Sequence, residues 1–341
     1  MRPTVHDVAR AAGVSLATVD RVINGREKVR EATALRVEAA IHKLGFVRNQ
    51  AAANLAKSRV YRFVFLIPEG TNSFMRRLEE EARSAGQAMA SDGIELRVVP
   101  VAAFDADALA AALNGLDLAD IAGVALVATE SPSVRRALDR LRDGGVPIVT
   151  LVSDAPSFQR NRYVGIDNVA AGRTAASLIG RFVGKTPGKI ALVAGSMLVR
   201  DHVERRMGFE QVVRSEYPYL DLLPVVEGRD DRATTRSVVE QCLDSDPNIV
   251  GLYNIGAGNA GVIEVLEARP VEARPIVVAH ELSPHTRRAL ELGLIHAVIN
   301  QDAGHEIRSA VRTLRAFADR SPLIESQEQI RIEIYLRDNL P

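Results

Sequence analysis

The 341-residue chain is 47% hydrophobic and 25% charged, so it can bury a large core and exceeds one comfortable domain. Its formal net charge is zero, but residues 1–59 hold eleven Lys/Arg against five Asp/Glu and the remainder holds 32 against 38, a basic segment ahead of an acidic one that points to a polyanionic partner for the first part alone. One cysteine, Cys242, excludes an intrachain disulfide framework, and the sequence shows neither a signal-peptide pattern nor an 18-residue apolar stretch, so the expectation is a cytoplasmic protein with no membrane span.

The predicted elements begin with a short helix opened by Thr4, which is followed three residues later by Asp7. Its apolar stripe is Val5, Val8, Ala9 and Ala12, and Gly13 ends it. Ser15 caps a second helix with Val19, Val22 and Ile23 on one face, stopped by Asn24-Gly25. A third amphipathic run, Glu31 to Leu44, offers Leu35, Ala39, Ile41 and Leu44 to cover the first two. Two short helices joined by a tight Gly-Val turn are a minimal helix-turn-helix, a unit found in DNA readers and in ordinary bundles alike. The local excess of positive charge favours DNA. Beyond it, Asn49 to Ser58 reads as an alanine-rich linker helix capped by Asn49 or as a plain linker; so short a helix is marginal alone.

The run TVHDVARAAGVSLATVDRVINGREKVREATALRVEAAIHKLGF resembles the headpiece of the lactose-repressor (LacI/GalR) family. That resemblance implies a second helix lying in the major groove, with Leu16, Ala17 and Arg21 facing bases and Ser15 and Thr18 near phosphates. Arg21 has the chemistry to read a guanine edge with two bonds, whereas Leu16 and Ala17 offer only apolar contact. Thr4, Asn24 and Asn49 complete the implied DNA-binding set, and Leu55 matches a leucine that wedges between base pairs in the minor groove. Asp20, Arg30 and Arg48 depart from the family pattern, which leaves the operator sequence open.

From Arg62 the chain alternates apolar runs with helical patterns. The runs are Phe63–Ile67, Ile94–Val101, Val124–Ala128, Val146–Leu151, Ile190–Ala194, Ile249–Tyr253, Ile276–Ala279 and Ala297–Ile299; Phe74–Ala90, Val134–Leu141, Ala171–Val183 and Thr235–Leu243 are helical. The alternation predicts doubly wound parallel sheets, and about 280 residues of it predict two lobes. Ligands of such sheets bind beyond the carboxyl ends of the strands, where this chain carries polar residues. Asn72, Phe74, Ser153, Asp154, Asn254, Glu281 and Gln301 are the candidates, as cleft groups or as simple caps and loop residues.

The motifs TNSFM, YVGIDNVAAGRTAA, ERRMGFEQVV, LYNIGAG and INQD resemble the ribose-binding type of periplasmic binding protein fused in LacI-family regulators. The resemblance implies that Phe74 packs on a sugar, Arg205 bonds ligand hydroxyls and Gln301 sits at the hinge. Glu281 stands where relatives keep an aspartate, and Asn254-Ile-Gly replaces their Asn-Asp.

The expected organisation is therefore a helix-turn-helix headpiece over 1–48, a hinge segment over 49–60 and a periplasmic-binding-protein-like α/β effector domain over 61–341. Its N-lobe takes about 61–162 plus 302–322, and its C-lobe 163–301 plus 323–341. The expected partners are operator DNA, a sugar, polyol or sugar derivative, and a second copy of the chain, in a repressor with no cofactor. Neither a G-x-G-x-x-G after the first strand, a P-loop, a G-x-S-x-G nor Cys/His metal spacing occurs, so no catalytic or metal site is expected. Gly256-Ala-Gly258-Asn-Ala-Gly261 alone has part of the look of a phosphate loop.

Overall fold

The computed structural model describes residues 3–23, 29–46 and 60–341, so the expectations for Asn24, Asn49 and Leu55 lie outside the described residues. The chain separates into two compact units, Met1–Arg59 and Val60–Pro341.

In the first unit, α1 (Val5–Ala12), α2 (Leu16–Ile23) and α3 (Glu31–Leu44) pack around Val8, Ala12, Val19, Val37 and Ala40. Thr4 and Asp7 form a reciprocal capping box, and Gly13 adopts the left-handed conformation (φ 62°) that releases the chain into α2. Ser15 caps α2 by accepting from the Thr18 amide at 3.2 Å. Arg30 precedes α3 without a side-chain cap bond. The expected covering face of α3 needs correction. Leu35 and Ala39 are exposed, and the buried stripe runs through Val37 and Ala40 with Ile41 and Leu44 half-buried. Apolar residues occupy two adjacent faces of this helix, so periodicity cannot choose between them until α1 and α2 are in place.

The second unit contains two sheets. The first is β1 (Tyr61–Glu69), β2 (Ile94–Ala102), β3 (Gly123–Leu126), β4 (Ile148–Leu151) and β5 (Arg162–Val164), parallel throughout in the order β2-β1-β3-β4-β5. The second is β6 (Gly188–Ala194), β7 (Leu220–Leu222), β9 (Ile249–Asn254), β10 (Ile276–His280), β11 (Ala297–Asn300) and β12 (Glu333–Tyr335) in the order β12-β11-β10-β9-β6-β7, with β8 (Val226–Glu227) also on β6. Only β12 runs antiparallel to its neighbour in this sheet. All eight apolar runs became strands. The strands missed, β5, β7, β8 and β12, are two or three residues long and carry no periodicity to detect.

Both faces of each sheet are covered. Phe63, Phe65 and Ile67 of β1 point into one core while Val64 and Leu66 point into another. In β6, Ile190, Leu192 and Ala194 join the first of these cores, and Ala191 and Val193 join a third. Burial on both sides explains why the strands read as continuous apolar runs rather than alternating ones. The remaining helices that matter for the site are α4 (Ser73–Met89), α5 (Ala106–Asn114), α6 (Pro132–Asp143), α7 (Asn168–Val183), α8 (Arg200–Glu216), α9 (Arg232–Ser245), α10 (Asn259–Glu267), α11 (Pro284–Glu291) and α12 (Ala303–Asp319). The chain leaves the first sheet after β5, and α12 returns to pack on β1, β3, β4 and β5 before β12 closes the second sheet.

The crossing of α7 and α8 is a backbone contact. A Cβ at Gly172 would lie 1.9 Å from the Arg205 carbonyl oxygen, and one at Gly208 would lie 2.0 Å from that of Val169. Alanine in a helix interior is favoured over glycine by about 1 kcal/mol, but here the added methyl meets fixed backbone that no rotamer can move aside. We therefore predict that Gly172→Ala is destabilising by about 1–3 kcal/mol or more and lowers the thermal midpoint of the full chain. A midpoint equal to or above that of the wild type would show that the crossing can relax.

Candidate functional site

On α2, Val19 is buried and Val22 and Ile23 are half-buried, which turns Leu16, Ala17, Asp20 and Arg21 outward on one exposed face. Positions spaced i, i+1, i+4 and i+5 share one side of a helix, so the residues expected to face bases are brought together. Ser15 and Thr18 flank this face, their hydroxyls 2.9 Å apart. Thr4 is engaged with Asp7, donating to its Oδ2 at 2.7 Å.

The second site is a cavity of about 160 Å³ between the two sheets, walled by the segments that follow their strands. Asn72, Phe74, Ser153, Arg205, Glu281 and Gln301 all line it. Arg205, on α8, is 3% exposed. Its Nε donates to Asn168 Oδ1 at 2.8 Å and its Nη1 to the Ile255 carbonyl at 3.0 Å. Its Nη2 has no hydrogen-bond partner among the described residues and lies 3.9 Å from Asp201 Oδ2. Gln301 Nε2 donates to Glu281 Oε1 at 2.8 Å, leaving Glu281 Oε2 and Gln301 Oε1 buried and unpartnered among the described residues. Each such group costs on the order of 1–3 kcal/mol until something pairs with it. Three unsatisfied polar atoms of opposite roles, one donor and two acceptors, thus belong to residues lining one cavity.

Backbone strain gathers at the same place. Six non-glycine residues among the described residues have positive φ, and five of them, Phe104, Val152, Arg229, Asp230 and Glu281, line the cavity. For β-branched Val152 (φ 59°) this is a conformation the side chain strongly disfavours. Strain of this kind persists only where surrounding contacts over-determine it, and it concentrates at binding sites.

The two sides of the cavity are clasped. Asn72 Nδ2 donates to Asp230 Oδ2 at 2.8 Å, Thr71 Oγ1 donates to the Asp230 carbonyl at 3.2 Å, and the Arg200 amide donates to Ser153 Oγ at 3.2 Å. Asn72 also caps α4 by accepting from the amides of Phe74 and Met75, so its amide is consumed by cap and clasp. Two expectations are corrected here. Asp154 does not line the cavity: its oxygens accept from Thr150 Oγ1 at 2.7 Å, the Ala155 amide at 2.8 Å and Arg160 Nη2 at 2.5 Å. Asn254 does not line it either, because its Nδ2 donates to Asn259 Oδ1 at 2.7 Å and the Ala257 carbonyl at 3.2 Å, bracing the turn after β9. Asp154 follows β4 and Asn254 ends β9, the positions cleft residues take, but their local hydrogen bonds hold them away from the cavity. The glycine-rich segment is explained by packing. Ala257 N donates to Asp230 Oδ1 at 2.8 Å, and a Cβ at Gly261 would lie 2.3 Å from the Arg232 carbonyl.

Asp201, His202 and Asp230 line the cavity and escaped the sequence reading, and His280, which sits at a strand end beside Glu281, lines it too. Asp201 was detectable, since it precedes Arg205 by one helical turn. Asp230 was not, because it follows a strand of two residues. Burial, aided by Arg205, keeps the His280 imidazole well below its usual pKa and therefore neutral, with its Nε2 2.7 Å from the Tyr253 hydroxyl. Burial pushes the Glu281 carboxyl up to about 7, against the opposing pull of Arg205 and the Gln301 hydrogen bond. Glu306, behind the cavity on α12, is fully buried, and burial together with Glu281 raises its pKa well above the usual range.

Fold and site define a two-lobed ligand-binding domain whose chain also carries a helix-turn-helix unit. Residues 63–321 match the family described as periplasmic binding protein domain, and residues 4–49 match bacterial regulatory proteins of the lacI family. Over 264 residues, 74% of this chain and 73% of the relative, it is 27% identical to the HTH-type transcriptional regulator CelR of Thermobifida fusca. Over 52 residues, 15% of each chain, it is 56% identical to the maltose regulon regulatory protein MalI of Escherichia coli. A glucose-galactose binding protein from Geobacillus stearothermophilus, 22% identical, shares the sensor fold with a TM-score of 0.74 over 83% of this chain and 99% of its own. The chain belongs to the periplasmic-binding-protein domain family over residues 63–321 and carries a lacI-family domain over residues 4–49, which makes it a DNA-binding transcription regulator with a periplasmic-binding-protein domain. Among the described residues no helix is long and apolar enough to cross a membrane.

The Glu281 carboxyl has a clear pH consequence. With a folded pKa near 7 against 4.5 in the unfolded chain, the folded state holds the extra proton between these values, so this group's contribution to stability falls as pH rises from 4.5 to 7 and is constant above. Glu281→Gln removes that loss. The variant should gain on the wild type across this window, by on the order of 1–3 kcal/mol at pH 8, when thermal or urea unfolding is followed at pH 5 and pH 8. An equal difference at both pH values would show that Glu281 titrates normally.

Proposed function

We propose that the protein is a cytoplasmic, non-catalytic repressor that binds a near-palindromic operator as a homodimer and releases or grips it according to a carbohydrate-like effector held between its lobes. The observation carrying the effector half is that Arg205 Nη2, Glu281 Oε2 and Gln301 Oε1, buried and unpartnered among the described residues, all belong to residues lining one strained cavity. Hydroxyl groups, which donate and accept at once, satisfy such a set. Phe74, 6% exposed in the same wall, offers an apolar face to a ring. The glucose-galactose binding activity named for the structural neighbour supports the same class. No metal or cofactor is invoked.

On the DNA side, Leu16, Ala17 and Arg21 read base edges from the exposed face of α2, while Thr4, Ser15 and Thr18 lie near phosphates. Asn24, Asn49 and Leu55 complete this assignment from the sequence alone. Symmetry follows from reach: one eight-residue helix reads few base pairs, and a two-fold dimer doubles them.

Selection from random DNA should return a symmetric site for the wild type, and Arg21→Ala should flatten the preference at one base of each half-site, at a cost of about 1–3 kcal/mol. Recovery of no symmetric site would refute the regulator reading, and an unchanged profile for Arg21→Ala would refute the role of that side chain. On the effector side, Arg205→Ala and Gln301→Ala should each weaken binding of the effector by about 1–3 kcal/mol in calorimetric titration. Unaltered affinity in both would place the effector elsewhere.

A further inference from the structure

We propose that Asp20 reads a cytosine in each half-site, its carboxylate accepting from the N4 amino group in the major groove near the base contacted by Arg21. This rests on the reading of α2 as the base-facing helix and adds a residue to it.

The helix itself makes the first argument. Leu16, Ala17, Asp20 and Arg21 are all exposed, whereas Val19 is fully buried and Val22 and Ile23 are half-buried. Residues four apart on a helix stand one above the other, so the outer face carries two tracks, Leu16 over Asp20 and Ala17 over Arg21. When a helix-turn-helix docks, its second helix enters the major groove, and the face turned away from the protein core is the one presented to the bases. Asp20 therefore goes in with Arg21. Ala17 adds almost no bulk on the neighbouring track, which lets the helix seat close enough for a short carboxylate to reach a base edge.

Charge and hydrogen-bond roles make the second. Asp20 is the only acid of α2, in a segment, 1–59, that holds eleven Lys/Arg against five Asp/Glu. A carboxylate carried between two phosphate backbones is repelled by both, so on this face it weakens DNA binding unless a base donates to it. An ionised carboxylate only accepts. In the major groove guanine and thymine offer it no donor, adenine offers N6 beside the acceptor N7, and cytosine offers N4 with no acceptor of its own beside it. Asp20 thus rejects two bases outright, is pulled both ways by adenine and is satisfied by cytosine. It also has an interaction within the chain, but two carboxylate oxygens with about four lone-pair positions leave room for a base.

The test uses the full-length chain. Selection from random duplex DNA should enrich cytosine for the wild type at one position of each half-site, near the position that Arg21→Ala flattens. Asp20→Ala should flatten the cytosine position alone. Asp20→Asn should turn its preference to adenine, because an amide donates to N7 and accepts from N6 at once. In anisotropy titrations Asp20→Ala should lose on the order of tenfold in affinity for the selected duplex, the worth of one hydrogen bond to a charged group. On a duplex with guanine in place of that cytosine, Asp20→Ala should instead bind more tightly than the wild type, because the repulsion is gone. Equal gains on both duplexes would show that Asp20 only repels phosphate, and equal losses that it only supports the fold; either result overturns the proposal. A symmetric site that depends on Arg21 and is the same for the wild type and both Asp20 variants overturns it too and leaves α2 as the base-reading helix. A wild type that selects no symmetric site overturns both.

Discussion

A guanidinium that is 3% exposed has to be supported on every side, and the placement of Arg205 is the constraint from which the sensor domain is built outward. Arginine stays ionised at any ordinary pH, so burying it is tolerable only if its donors are met. Here Asn168 at the start of α7 and the Ile255 carbonyl beyond β9 meet two of them. Asn168 is in turn oriented by the Tyr163 hydroxyl, to which its Nδ2 donates at 3.1 Å, and Tyr163 donates to the carbonyls of Val152 and Ile166. None of this reaches if α7 and α8 stand at an ordinary helix separation. Gly172 and Gly208 bring the two backbones into contact and carry Arg205 to its partners.

The same closeness ties the cavity to the junction between the sheets. Tyr163 belongs to β5 of the first sheet and Asn168 opens the first helix after it, so the network holding Arg205 spans the segment where the chain passes from one sheet to the other. A ligand that changes the surroundings of Arg205 Nη2 therefore acts on residues already bonded to both sides. Ligand binding shifts a conformational equilibrium only by its differential affinity for the two states. The strained turns at Phe104, Val152, Arg229, Asp230 and Glu281 supply contacts present in the clasped arrangement that differ from any in which the sides separate.

The helix-turn-helix unit obeys different physics. Its core consists of a few alanines and valines, which is little apolar area for a unit of that size. Local devices carry a larger share of the work: the Thr4–Asp7 capping box, the left-handed Gly13 and the Ser15 cap. Arg30, which leaves α3 without a side-chain cap, is the weak point. Hydrogen bonding to Thr4 holds the Asp7 carboxyl below its usual pKa, so the box keeps its charge at neutral pH.

Much of this was legible in one dimension because its causes are local. A left-handed glycine, a Ser or Thr cap and an apolar run bounded by turns act over a few residues, so the helices of the first unit and eight strands of the second could be read directly. The class of cavity residue was legible too, since open parallel sheets put ligands beyond their strand ends, and Phe74, Glu281 and Gln301 are where that rule puts them, while Arg205 was supplied by the family resemblance alone. The roles of neighbours at those ends were not. Asp154 and Asn254 stand at strand ends as the cleft residues do, yet Arg160 and Asn259 draw them into the protein. Asn72 is spent on a cap and on Asp230, a residue 158 positions away. The buried face of α3, the left-handed Glu281 and the contact between Gly172 and Arg205 likewise depend on what packs against them. Propensity and pattern act along the chain and leave their mark in its order, whereas burial, unmet hydrogen bonds and charge balance depend on distances between residues far apart in sequence, which exist only once the chain has folded.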